Sequence, residues 1–97
     1  MHSVLAYPSP ARRKAVIGFN VSGSVQSAKV KIYSLSGEEV YEAIPSPLYP
    51  GFYNEVEWKL ENSRNNKVAS GLYIIKVEVT TADGTFFATN KMGVVKE

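Results

Sequence analysis

The feature that most constrains this chain is an apolar period of two that recurs along almost its whole length. Ala15, Ile17, Phe19 and Val21 form one such row, and Ala28, Val30 and Ile32 alternate with Lys29, Lys31 and Tyr33. Val56, Trp58 and Leu60 alternate with Glu55, Glu57 and Lys59, while Tyr73, Ile75, Val77 and Val79 share a face opposite Lys76, Glu78 and Thr80. Successive side chains on a strand point to opposite faces, so this pattern belongs to strands with one face in a core and one in water. A helix needs apolar residues at i+3 and i+4, and from Trp58 those positions hold Glu61 and Asn62. No helix is predicted.

Turn residues separate the rows. Val21-Ser22-Gly23-Ser24 divides a strand near 15–21 from one near 27–34, and Leu35-Ser36-Gly37-Glu38 opens a short excursion through Val40 and Ile44. Pro45-Ser46-Pro47 and Pro50-Gly51 mark a stiff loop, Asn62 to Asn66 a polar turn, and Ala82-Asp83-Gly84 a hairpin between strands near 72–81 and 85–95. A short first strand near 3–7 is followed by Pro8 and Pro10, which suit only a sheet edge. The expected architecture is all-β: an immunoglobulin-like antiparallel β-sandwich of about seven strands. Residues 1–97 read as one domain, with no linker and no repeat, expected to be the C-terminal module of a larger protein.

Composition narrows the function classes. An apolar content of 44% and a charged content of 21% are ordinary for a globular domain with a single core. A net charge of +2 is too weak to point to nucleic acid. The absence of cysteine excludes disulfides, thiolate metal sites and thiol nucleophiles. Apolar runs such as Leu72 to Ile75 fall far short of the roughly 20 residues of a membrane span, so no membrane insertion is expected. The first residues carry no apolar stretch of the signal-peptide type, so a signal peptide is expected upstream.

The groups needed for catalysis are missing. His2 is the single histidine and stands at the chain start, where no Ser-His-Asp arrangement forms around it. Glu38, Glu39 and Glu42 cluster, as do Glu55, Glu57 and Glu61, but Glu55 and Glu57 share the wet face of a strand and both stay ionised. No calcium loop is present, and Asp83-Gly84 reads as a turn. No enzyme activity, cofactor or metal is expected. Arg12-Arg13-Lys14 reads as a solvated basic loop, or as a contact for phosphate or an acidic surface. Tyr41, Tyr49, Phe52 and Tyr53 surround the proline-rich loop, either covering one end of the core or stacking on a sugar or a partner.

Four stretches in order resemble a known pattern. Ala6-Tyr7-Pro8-Ser9-Pro10 resembles a Y-P-N-P opening, and Val30 to Val40, with Gly37, a V-x-I-Y-D-x-x-G-x-x-V core. Gly51 to Trp58, then Asn65 to Tyr73 with Gly71, resemble G-x-x-x-x-x-W followed by G-x-x-V-A-S-G-x-Y, and Lys91 to Lys96 a closing K-L-x-V-x-K. The pattern is that of bacterial C-terminal sandwich modules: the sorting domains of type IX secretion substrates and the immunoglobulin-like domain of the flagellar hook-capping protein. Ser9 stands in place of the family's asparagine, Ser34 of its aspartate and Asn66 of its glycine. The resemblance implies a non-catalytic module of a secreted or cell-surface bacterial protein, used for secretion sorting or attachment. Its implied partners are the other domains of the parent protein and secretion machinery or cell-surface components, with the domain itself a monomer. The alternatives are a carbohydrate-binding or adhesion module of an extracellular hydrolase, and a hook-cap-type assembly domain.

Residue roles follow. Tyr7, Pro8, Pro10, Gly37, Trp58, Gly71 and Tyr73 are expected to be structural. Trp58 should anchor the core, and Tyr73 should bond its hydroxyl to backbone near 65–71, as in a tyrosine corner. Gly37 and Asn66 are expected to supply left-handed turn conformations. Lys91, Met92, Val94 and Lys96 form the candidate sorting or partner surface, read by side chains or by pairing of an edge strand; Met92 and Val94 serve equally to complete the core.

Overall fold

A computed structural model describes residues 4–96. The chain forms seven strands: β1 (Val4–Tyr7), β2 (Ala15–Asn20), β3 (Ser27–Ser34), β4 (Glu39–Ala43), β5 (Tyr53–Trp58), β6 (Gly71–Thr81) and β7 (Gly84–Val94). No helix occurs among the described residues. The strands lie in a three-stranded sheet of order β1-β2-β5 and a four-stranded sheet of order β4-β3-β6-β7, and every strand pair is antiparallel. The result is an immunoglobulin-like sandwich in which β4 extends the larger sheet.

The period of two sets the faces. From the smaller sheet, Val4, Ala15, Ile17, Phe19 and Trp58 turn inward and are buried. They meet Ala28, Val30, Ile32, Tyr73, Ile75, Val77, Val79, Met92 and Val94 from the larger one. Trp58 lies opposite Ala15, whose small side chain leaves room for the indole. The indole Nε1 donates to Glu61 O at 2.8 Å, so burying this ring strands no polar atom. Tyr73 meets it edge-to-face, with ring centroids 5.7 Å apart.

The chain switches sheets at its N-terminus. β1 pairs with β2, but after Pro8-Ser9-Pro10 the strand crosses over, and Ala11 forms a parallel bridge with Val94 of β7. β1 is an edge strand, as the prolines beyond it require.

Two local expectations need correction, and a third gains detail. β5 ends at Trp58, and Leu60 does not continue its row: Leu60 adopts φ 60° and drops into the core by a turn. The left-handed residue of the polar turn is Asn65 (φ 66°), not Asn66. The excursion after Gly37 (φ 89°) is a true strand whose Tyr41 and Ala43 lean on the core, while Ile44 is exposed. A bulge between Ile32 and Tyr33 sets this register.

Candidate functional surface

The last strand divides its candidate residues by face. Met92 and Val94 are buried, whereas the Lys91 and Lys96 side chains are exposed. Met92 lies opposite Tyr73 and packs into the core. Any partner reading this segment in the folded domain therefore meets the two lysines.

Strand pairing is not available there. β7 is the edge of the larger sheet, but its outward N–H groups near the end, and Gly93 O, already have partners. Ala11 N donates to Gly93 O and Val95 N to Ala11 O, both at 2.8 Å. Gly93 N donates to Ser9 Oγ at 3.1 Å, and Lys91 N to Asn90 Oδ1 at 2.8 Å. Asn90 Nδ2 donates to Val4 O at 2.7 Å, tying β7 to the first strand, and Lys96 N donates to Ser70 Oγ at 2.8 Å. A strand edge with filled ladder positions offers nothing to an incoming peptide. Among the described residues, no strand pairs with the outer edge from Thr85 to Thr89, beside the exposed Phe86 and Phe87.

Two of the sequence departures keep the same chemistry. Ser9 Oγ supplies an acceptor to Gly93 N, as an asparagine carbonyl would. Ser34 Oγ accepts from Glu38 N at 3.3 Å in the Gly37 turn, a task an aspartate carboxylate also performs.

Tyr7 lies on the outer face of the smaller sheet. Its hydroxyl donates to Glu55 Oε2 at 2.6 Å, and the Tyr53 hydroxyl donates to the same oxygen at 3.1 Å. The hydrogen bond to Glu55, with Tyr53 adding to it, holds the Tyr7 phenol well above its usual range. Tyr53 beds down over Gly18, where any Cβ would collide with its ring and hydroxyl. At the other end, the Tyr73 hydroxyl donates to Ala69 O at 2.6 Å, and burial raises its pKa. Gly71 opens β6 just before it.

The remaining aromatic residues do not form one platform. Tyr41 leans on the core from β4, whereas Tyr49 and Phe52 are exposed on the loop before β5. That loop is held by Asn54, a buried polar side chain the sequence reading passed over. Its Oδ1 accepts from Tyr49 N at 2.8 Å, and its Nδ2 donates to Tyr49 O and Phe52 O at 3.0 and 3.1 Å.

The carboxylates are spread and solvated. Glu57 pairs with Lys14 at 3.4 Å and Glu61 with Lys67 at 3.7 Å. Glu78 takes Lys76 at 3.3 Å and Lys31 at 3.6 Å; the hydrogen bond from Lys76 comes first in holding its carboxyl below the usual range. Among the described residues no group of three or more acidic or histidine side chains gathers to hold a metal. His2 lies outside the described residues.

Residues 5–86 match the model of a family described as the secretion system C-terminal sorting domain. The chain belongs to that family. It is a non-catalytic sorting module of a secreted protein, and the family assignment places that protein at the cell surface or outside the cell. The matched span ends at Phe86, so Lys91 to Lys96 lie beyond it.

Solved structures agree. Dimeric latent PorU from Porphyromonas gingivalis is similar at 29% identity with a TM-score of 0.80, over 97% of this chain and 9% of that one. PorZ of the same organism, a surface component of its type IX secretion system, is 23% identical with a TM-score of 0.61, over 95% of this chain and 11% of its own. The flagellar hook-capping protein FlgD from Xanthomonas campestris shares the fold at 21% identity and a TM-score of 0.56, over 93% of this chain and 60% of that one. No curated protein matches the chain. The sorting domain spans about a tenth of the PorU and PorZ chains it resembles.

Proposed function

We propose that this domain addresses a larger parent protein to a type IX translocon, and that the recognised feature is the folded end of the chain displaying Lys91 and Lys96. The observation that carries the reading is the state of the last strand: its apolar residues are locked into the core and its edge is filled, while both lysines face solvent. A receptor would then read side-chain charge on a rigid surface. Other domains of the parent and the secretion machinery are the partners this implies, with the sandwich itself monomeric and without catalytic work.

The experiment is a secreted reporter fused to this domain in a bacterium that has type IX secretion. Deleting residues 91–97 removes Met92 and Val94 from the core, so loss of export there would report unfolding as well as lost recognition. The sharper variant is Lys91→Glu with Lys96→Glu, which leaves the core whole. Export by the intact domain and its loss in the double variant are expected. Equal export by both would remove the role of the lysines, and no export with the intact domain would remove the sorting role.

A further inference from the structure

At the end of the sandwich where the chain finishes, a hollow of about 370 Å³ opens between the 11–13 segment, the 60–68 loop and the end of β7. Its floor is the edge of the core, formed by the buried side chains of Leu60, Val68 and Val94. The hollow exists because Leu60 leaves the strand by its left-handed turn while Val68 N returns to Leu60 O at 2.9 Å, which holds the 61–67 loop away from Ala11 and Val94.

The described charged side chains that line the hollow are all basic. Among the described residues, Arg12, Arg13, Lys67 and Lys96 line it and no carboxylate does. These are four of the chain's eleven basic side chains, on a protein whose net charge is only +2. Lys67 is engaged, donating to Lys59 O at 2.8 Å and pairing with Glu61, and Arg13 has a partner of its own. Arg12 and Lys96 have no carboxylate within ion-pair distance among the described residues. Arg12 and Arg13 also line a shallower basic hollow over Pro8 and Pro10, which continues the trough. Like charges converging over an apolar floor raise the local potential and favour an anion. An apolar floor with a few converging polar groups is the usual composition of a ligand site.

We infer that this hollow binds an acidic peptide segment that places one aliphatic side chain on the floor between two carboxylates. The volume lies at the small end of ligand pockets and has room for an aliphatic side chain with its flanking backbone. The apolar floor is recessed, so a bilayer cannot reach it without drawing lipid tails out of the membrane, whereas a peptide side chain enters directly. In an extended peptide, residues i and i±2 share a face about 7 Å apart. A Glu-x-Leu-x-Glu segment therefore brings both carboxylates to the rim as leucine fills the hollow. The site shares Val94 and Lys96 with the end assigned to sorting, but it is a property of the isolated domain: it fails by titration, and the sorting reading fails by secretion.

The test is an NMR titration of the isotope-labelled domain with acetyl-Glu-Ser-Leu-Ser-Glu-amide. Shifts are expected at the amides of Lys67, Val68, Val94 and Lys96, and they should weaken as salt rises. Replacing both Glu by Gln, or Leu by Ser, should each abolish them. The double variant Arg12→Glu with Lys96→Glu, at two exposed positions, should bind about tenfold more weakly while keeping the dispersed spectrum of a folded domain. No shifts at these amides would overturn the inference. So would equal binding of the Gln peptide, the same shifts from inorganic phosphate alone, or binding to phosphatidylglycerol vesicles without binding to the peptide.

Discussion

The two halves of β7 obey the same alternation and end up in different physical situations. In the half from Lys91 to Val94, the inward residues Met92 and Val94 are buried and the outer edge is bonded to Ser9 and Ala11. In the half from Gly84 to Thr89, Phe86 faces the same way as Met92 yet is 52% exposed, and the outer edge is open. The difference lies in what stands opposite. The N-terminal segment covers the end of the strand, tied down by Asn90 to Val4 O, whereas among the described residues no segment is bonded to the outer edge of the hairpin. Alternation tells which way a side chain points. Coverage by residues more than eighty positions away decides whether pointing inward means burial.

Breaking the packed half should cost most. Trp58→Ala removes the indole against which Tyr73, opposite Met92, is seated, and should cost about 3–5 kcal/mol in chemical denaturation, enough to unfold a marginal domain. Met92→Ala should cost about 3 kcal/mol and Phe86→Ala less than about 1 kcal/mol, measured side by side. Equal losses would show that the two halves are packed alike.

Much of this contrast could be read in the sequence, and the unread part has a physical cause. The rows Ala15 to Val21, Ala28 to Ile32 and Tyr73 to Val79 showed their inward faces because period two is a local property. The end of β5 is hidden in the sequence because Leu60 stays apolar and buried while leaving the strand, so its place in the row looks regular. Asn54 and Asn90 give no signal, and Ser9 shows only as a departure from a motif, without its partner. Their bonds run from side chains to backbone, and those of Asn90 and Ser9 join the two ends of the chain, so no spacing marks them. The basic rim was visible only as Arg12-Arg13-Lys14; Lys67 and Lys96 join it through the fold.

Weaker changes sharpen the comparison. Asn90→Ala deletes the donor to Val4 O and should cost about 1 kcal/mol, with faster amide exchange at Lys91, whose N–H loses its acceptor. The smallest effect belongs to the outer face of the larger sheet. Because the Glu78 carboxyl is held below its usual range, its contribution to stability is present above the ordinary carboxyl pKa and is lost as pH falls through the lower folded value. Glu78→Gln should cost a few tenths of a kcal/mol at neutral pH, solvent screening keeping it small, and the gap to the wild type should close below about pH 4. A gap that persists in acid would assign the effect to packing.

The central claim is that the chain's end is a locked, folded surface. Native-state hydrogen exchange, residue by residue along β7, tests it most directly. The amides of Gly93 and Val95, bonded to Ser9 and Ala11, should exchange only with opening of that end of the sandwich. The amides of Phe87 and Thr89, which the same alternation turns to the open edge, should exchange orders of magnitude faster. Uniform protection along the strand, or rapid exchange at Gly93 and Val95, would contradict the account.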